Sequence, residues 1–152
     1  MNQQVLNSLK DNNLLKNADL NKLNIGKEIG KIKTLHGGEV IYREGDSANS
    51  VYLVINGEIN LVKKNSEGKS HSIIYSDNDF FGAKELFTNI NRCTLTVSLK
   101  TSNVIELTKK EIEYMMQNDD SVLFNIQKSN YDFKFDKELS KKITDKLFDN
   151  LN

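Results

Sequence analysis

The chain has 152 residues, 38% of them hydrophobic and 28% charged, a size and balance that suit one soluble domain with a real core. Lys+Arg and Asp+Glu both number 21, so the formal net charge is zero, which argues against broad electrostatic binding to nucleic acid or anionic lipid. A single cysteine, Cys93, rules out an intrachain disulfide and a thiolate zinc cluster, and the two histidines, His36 and His71, carry no metal-pairing motif. The first residues lack the apolar run of a signal peptide, and no stretch is apolar enough to span a membrane, so a cytoplasmic location without membrane contact is expected.

Taken in order, Val5, Leu6, Leu9, Leu14, Leu15, Leu20 and Leu23 are spaced for one or two short amphipathic helices, broken near Asp11-Asn12-Asn13. Asp19 is placed to cap the second. From Ile32 the hydrophobic period falls to 2, the repeat of a strand. Strands are predicted at 32–35, 39–42, 51–55, 58–64, 71–75 and 103–107. Gly37-Gly38, Glu44-Gly45-Asp46, Asn56-Gly57 and Ser66-Glu67-Gly68-Lys69 supply the turns between them.

Residues 78–99 read N-D-F-F-G-A-K-E-L-F-T-N-I-N-R-C-T-L-T-V-S-L. A turn leads through Phe80-Phe81 to Gly82 and one short turn of helix, whose start presents backbone N–H groups suited to an anion. A strand follows in which Cys93, Leu95, Val97 and Leu99 alternate with polar residues. After Leu107 the period is helical again: Thr108 and Glu111 form a capping box ahead of Ile112, Met115 and Met116. Asn118-Asp119-Asp120-Ser121 separates this helix from another that runs from Val122 towards Leu151, with a break near 131–136. The expected fold class is mainly β: an antiparallel β-roll or jelly roll with N-terminal helices (1–30), the roll (31–107) and two C-terminal helices (108–152), all in one domain.

G-E-V-I-Y-R-E-G-D-S-A-N-S-V-Y-L-V-I-N-G-E-I-N-L-V at 38–62, D-N-D-F-F-G at 77–82 and V-I-E-L-T-K-K-E-I at 104–112 together resemble the cyclic-nucleotide-binding domain, the module of the catabolite activator protein and of cyclic-nucleotide-dependent kinase regulatory subunits. The resemblance spans roughly residues 10 to 130. It implies an eight-stranded roll, a non-catalytic regulatory or sensor role, cyclic AMP or cyclic GMP as ligand, and a homodimer through the last helix. No winged-helix segment is present, so no direct DNA binding is expected.

The resemblance also implies where a ligand sits: Phe81, Gly82, Ala83, Lys84, Glu85 and Leu86 in the phosphate loop, with Arg92, Cys93 and Thr94 beside it. Two departures stand out. The family's ribose-binding glutamate follows the loop glycine, where this chain has Ala83, whose methyl accepts no hydrogen bond. Glu85, two residues on, points about 200° away on a helical turn. The family's phosphate-binding arginine corresponds to Arg92 only if the register allows it. The apolar alternation turns Cys93, Leu95, Val97 and Leu99 inward and sends Arg92, Thr94, Thr96 and Ser98 outward. A bulge between Arg92 and Val97 is the rival register, and it returns Arg92 to the pocket. We read the first. Two alternatives therefore accompany a cyclic-nucleotide sensor: a degenerate roll serving dimerisation or protein interaction, and a sensor of another small anion. Cys93 reads as a small buried hydrophobe, His36 and His71 as surface residues, and Phe80-Phe81 and Met115-Met116 as packing.

Overall fold

The structure is a computed structural model that describes residues 3–131 and the side chains through Ser129. Two short helices, α1 (Gln3–Leu9) and α2 (Leu20–Leu23), open the chain, and the Asp19 carboxylate accepts from the backbone N–H of Asn21 and Lys22 as the expected cap. Strands β1 (Lys31–Leu35), β2 (Val40–Tyr42), β3 (Ser50–Asn56), β4 (Glu58–Lys64) and β5 (Ser70–Ser76) follow. Then come β6 (Phe80–Phe81), α3 (Ala83–Thr88), β7 (Leu95–Ser98) and β8 (Ser102–Thr108). Helices α4 (Lys109–Asn118) and α5 (Asp120–Tyr131) close the described chain. The anticipated continuation towards Leu151 and its break near 131–136 lie outside the described residues, apart from Tyr131.

The strands form two antiparallel four-stranded sheets, ordered β1-β8-β3-β6 and β2-β7-β4-β5, facing each other as a roll. This matches the mainly-β expectation, and only the two-residue β6 had no strand signal of its own. In β3 the run Ser50 to Val54 is buried on both faces. Val51 and Leu53 turn outward to a core shared with the helices, where Leu9, Leu14, Leu86, Ile112, Met115 and Ile126 pack. Tyr52 and Val54 turn inward to a second core with Leu35, Tyr42, Ile59, Leu61, Phe81 and Val104. At β3 and β8 the first sheet is thus covered on both sides, which explains their nearly continuous apolar runs, whereas the edge strand β1 leaves Ile32 42% exposed. The second sheet is covered on one, and its outer face leaves Ile74 57% and Leu95 37% exposed.

The helical ends are tied to each other. The Thr108 hydroxyl accepts from Glu111 N (3.2 Å), while Glu111 Oε1 accepts from Thr108 N (2.9 Å), completing the capping box. The other oxygen of the same carboxylate, Oε2, accepts from Gly30 N at 2.8 Å. Asp119 Oδ2 accepts from Asp19 N (2.9 Å), and the buried Asn125 amide donates to the carbonyls of Leu14 (2.8 Å) and Lys16 (2.9 Å). The N-terminal segment is therefore clamped to α4 and α5 by polar contacts as well as by leucines.

Candidate functional site

The register of β7 is opposite to the one the apolar alternation suggested. Thr94, Thr96 and Ser98 are fully buried, whereas Cys93 and Val97 are half-buried and Leu99 is 45% exposed. The buried face of this strand is polar and satisfies itself: the Thr94 and Thr96 hydroxyls lie 2.9 Å apart, and Ser98 Oγ donates to Lys100 O at 2.6 Å. Small hydroxyl residues with mutual hydrogen bonds fill the narrow interior, and leucine is displaced to the outer face. No bulge is needed between Arg92 and Val97, because Arg92 shares the parity of the inward residues.

Arg92 is consequently inside the roll, 3% exposed. Its backbone is pinned against the turn after β2, with Arg92 N donating to Asp46 O (2.7 Å) and Arg92 O accepting from Gly45 N (2.9 Å). The guanidinium donates from Nη1 to Gly82 O at 2.7 Å and from Nη2 to Ser50 O at 2.5 Å. One face lies over the Tyr42 ring, 4.2 Å from its centroid, in a cation–π contact.

Gly82 precedes α3 with φ +90°, a conformation that glycine adopts without strain. A Cβ there would stand 3.0 Å from Arg92 Nη1 and 3.3 Å from Ser50 O, so the loop glycine serves both the turn and the close approach of the arginine. Ala83 through Phe87 are all buried. Ala83 offers only its methyl, as the sequence indicated. Glu85, by contrast, turns into the roll: its Oε1 lies 3.8 Å from Arg92 Nη1, with the two side chains 1% and 2% exposed. Its second oxygen, Oε2, is buried and accepts no hydrogen bond from the described residues.

Around this pair stand four aromatic rings. Phe81 stacks on Tyr52 (centroids 5.1 Å apart, 13° between planes) and meets Tyr75 at 5.9 Å and Tyr42 at 6.4 Å. Burial, and then the neighbouring Glu85 charge, pushes the Tyr42 phenol up to about 12, while Arg92 and the Thr96 and Thr94 hydroxyls pull the other way. Burial first, with smaller contributions from Tyr42, Asp79 and Glu85, raises Tyr75 as well. The Cys93 thiol is raised by burial and by Glu85, and its Sγ lies 3.7 Å from Asn91 O, so neither geometry nor charge activates it.

A cavity of about 430 Å³ opens beside the pair, walled by Tyr42, Tyr75, Phe81, Lys84 and Glu85 and reaching the exposed Lys16 and Lys128. Phe81, Gly82, Ala83, Lys84 and Glu85 line it, whereas Leu86 belongs to the helix-side core, where Cys93 also packs. Thr94 and Arg92 stand behind the lining. Sequence reasoning missed Tyr42, Tyr75 and the Ser50 carbonyl. His36 and His71 are exposed, and no group of three or more potential metal ligands occurs among the described residues. No described helix is long and apolar enough to cross a membrane.

Residues 32–119 match the family model described as the cyclic nucleotide-binding domain. The chain belongs to that family. Among curated relatives, it is 24% identical over 117 residues to the HTH-type transcriptional regulator ArcR of Staphylococcus haemolyticus, covering 76% of this chain and 52% of that one. It is 30% identical over 74 residues to the neuropathy target esterase sws of Drosophila willistoni, covering 48% of this chain but 5% of the esterase. The chain thus spans about half of the first relative and a small fraction of the second. Solved structures share the fold. The catabolite activator protein of Thermus thermophilus aligns with TM-score 0.66 at 16% identity, over 75% of this chain and 54% of that one. A mutated regulatory subunit of a cAMP-independent protein kinase A from Trypanosoma brucei, described as bound to cAMP, aligns with TM-score 0.74 at 14% identity, over 95% of this chain and 51% of that one.

Proposed function

We propose that the chain is a non-catalytic regulatory module of the cyclic-nucleotide-binding family in which a cyclic nucleotide is not the working ligand. One observation carries this reading: the arginine that the family resemblance assigns to the cyclic phosphate already faces a buried carboxylate of its own chain, Glu85, at 3.8 Å. Two further N–H groups of Arg92 are spent on the carbonyls of Gly82 and Ser50, and Tyr42 covers one face of the guanidinium. A phosphate arriving there meets a like charge and must displace it, while Ala83 offers nothing to a ribose hydroxyl. The Trypanosoma relative, described as cAMP-independent, supports the idea that this fold regulates without that nucleotide.

Titration calorimetry with cyclic AMP and cyclic GMP tests the reading. Absence of binding at millimolar nucleotide is expected, and micromolar affinity for either overturns it. The output side of the module is a homodimer through the C-terminal helix, whose described part leaves Phe124 62% exposed. Light scattering behind size exclusion checks this, and a monomer at high concentration counts against it.

A further inference from the structure

We propose that the free edge of β5 pairs antiparallel with the same edge of a second copy of this chain, across a two-fold axis at Ser72. The contact is separate from the helix dimer proposed above and from whatever the cavity holds.

Among the described strands, three of the four that edge the sheets are guarded. β1 carries Lys31 and Lys33, β2 is three residues long with a shifted register, and β6 is two residues long. β5 is seven residues long and reads S-H-S-I-I-Y-S, without Asp, Glu, Lys, Arg or Pro. Its register with β4 is unbroken from Ser70 to Ser76, and its other side pairs with no described strand.

The hairpin fixes which groups that side presents. Asn65 N donates to Lys69 O at 2.8 Å, so by alternation His71, Ile73 and Tyr75 bond to β4. The N–H and C=O groups of Ser70, Ser72 and Ile74 face away, and all three residues are exposed, Ile74 by 57%. Ser76 has the same parity but is taken: its N–H donates to Asp79 Oδ2 at 2.8 Å and its carbonyl accepts from Asp79 N at 3.0 Å. The open run therefore stops short of Ser76, and Ser72 is its centre. A second β5 laid antiparallel about that centre sets Ser72 opposite its counterpart and Ser70 opposite Ile74 on either side. A centre at Ile73 leaves Ser70 facing the occupied Ser76.

Charge favours the same arrangement. Lys63, Lys64 and Lys69 outnumber Glu67 around the β4–β5 turn, whereas Asp77 and Asp79 follow Ser76. Antiparallel pairing lays each basic end alongside the other copy's acidic end, while parallel pairing sets like beside like. Such a strand pair is small beside the roughly 1,200–2,000 Å² of a stable interface, so the association is weak and concentration-dependent.

Sedimentation velocity on the full chain tests this with Ser72→Lys and Ser72→Asp, alone and mixed. Like charges meet on the axis in either variant, so each is expected to associate about fivefold more weakly than the unaltered chain, and an equimolar mixture to recover it. A dimer through the C-terminal helix is blind to position 72, so equal association of all samples overturns the proposal, as does a mixture no tighter than either variant. Hydrogen exchange on the unaltered chain is the second measurement, and it decides alone if the variants do not fold. The Ser72 and Ile74 amides are expected to exchange several-fold more slowly at about 1 mM than at about 10 µM protein. Rates independent of concentration overturn the proposal: slow at both, they assign the edge to residues 132–152 of the same chain, and fast at both, they leave it to water.

Discussion

Glu85 and Arg92 face each other across 3.8 Å inside the roll, almost wholly shielded from water. The arginine also ties two separate backbone segments, at Ser50 and Gly82, into one unit. Removing it strands a buried carboxylate and two carbonyls together. Arg92→Ala is expected to destabilise the fold by about 3–5 kcal/mol in urea unfolding. The double replacement Arg92→Met with Glu85→Leu should cost less than the sum of its single changes, because it leaves no isolated charge. Strict additivity in the cycle would show that the two groups do not interact.

The loop glycine offers a second check. Gly82→Ala places a methyl 3.0 Å from the Arg92 guanidinium at φ +90°, where a side chain is strained even with space around it. A loss of about 1–3 kcal/mol is expected from these two effects. Gly45→Ala shares a positive φ but meets nothing within 4 Å, so it isolates the backbone contribution and should cost less.

Alkaline titration reports on Tyr42. Its folded value is raised from 10.0 to about 12, so the neutral phenol is favoured in the folded state. That contribution is fully present below about pH 10 and is lost as pH rises towards 12, roughly 3 kcal/mol in all. Tyr52 and Tyr75 are shifted in the same direction, chiefly by burial. Tyr42→Phe should therefore flatten, without abolishing, the fall in stability between pH 10 and 12 measured by denaturant titration. An unchanged slope would place the Tyr42 phenol in contact with water.

Asn125 provides a test of the helical clamp. Asn125→Leu leaves the carbonyls of Leu14 and Lys16 without their donor in a buried setting, at an expected cost of about 1–3 kcal/mol. Hydrogen exchange should quicken first at residues 13–18 and spare the β3–β8 pairing. Uniform acceleration across the chain would show that the clamp and the roll open together.

Most of the roll was legible because turn chemistry and period agree. Asn56-Gly57 separates β3 from β4, and Thr108 with Glu111 marks the start of α4. The last strand, expected at 103–107, runs from Ser102 to Thr108. β7 was misread because its inner face is built from Thr94, Thr96 and Ser98, so hydrophobicity and burial point in opposite directions along it. The inward position of Arg92 was hidden by the same inversion. Glu85 lay outside the reach of helical-angle arguments, since only the three-dimensional approach of α3 to the Arg92 segment brings its carboxylate into the roll. The aromatic lining was visible residue by residue but not as an enclosure, because Tyr42, Tyr52, Tyr75 and Phe81 come from four different strands.

The Glu111 carboxylate, which receives Thr108 N with one oxygen and Gly30 N with the other, has a practical consequence. Any displacement that swings α4 away from the roll must drag the segment before β1 or break with it. A fluorophore attached near Asn24 should then sense events at the far end of the polypeptide as readily as one placed on α5. Cutting that linkage with Glu111→Ala would weaken the agreement between the two labels, leaving the Asp119 and Asn125 contacts to carry the lever.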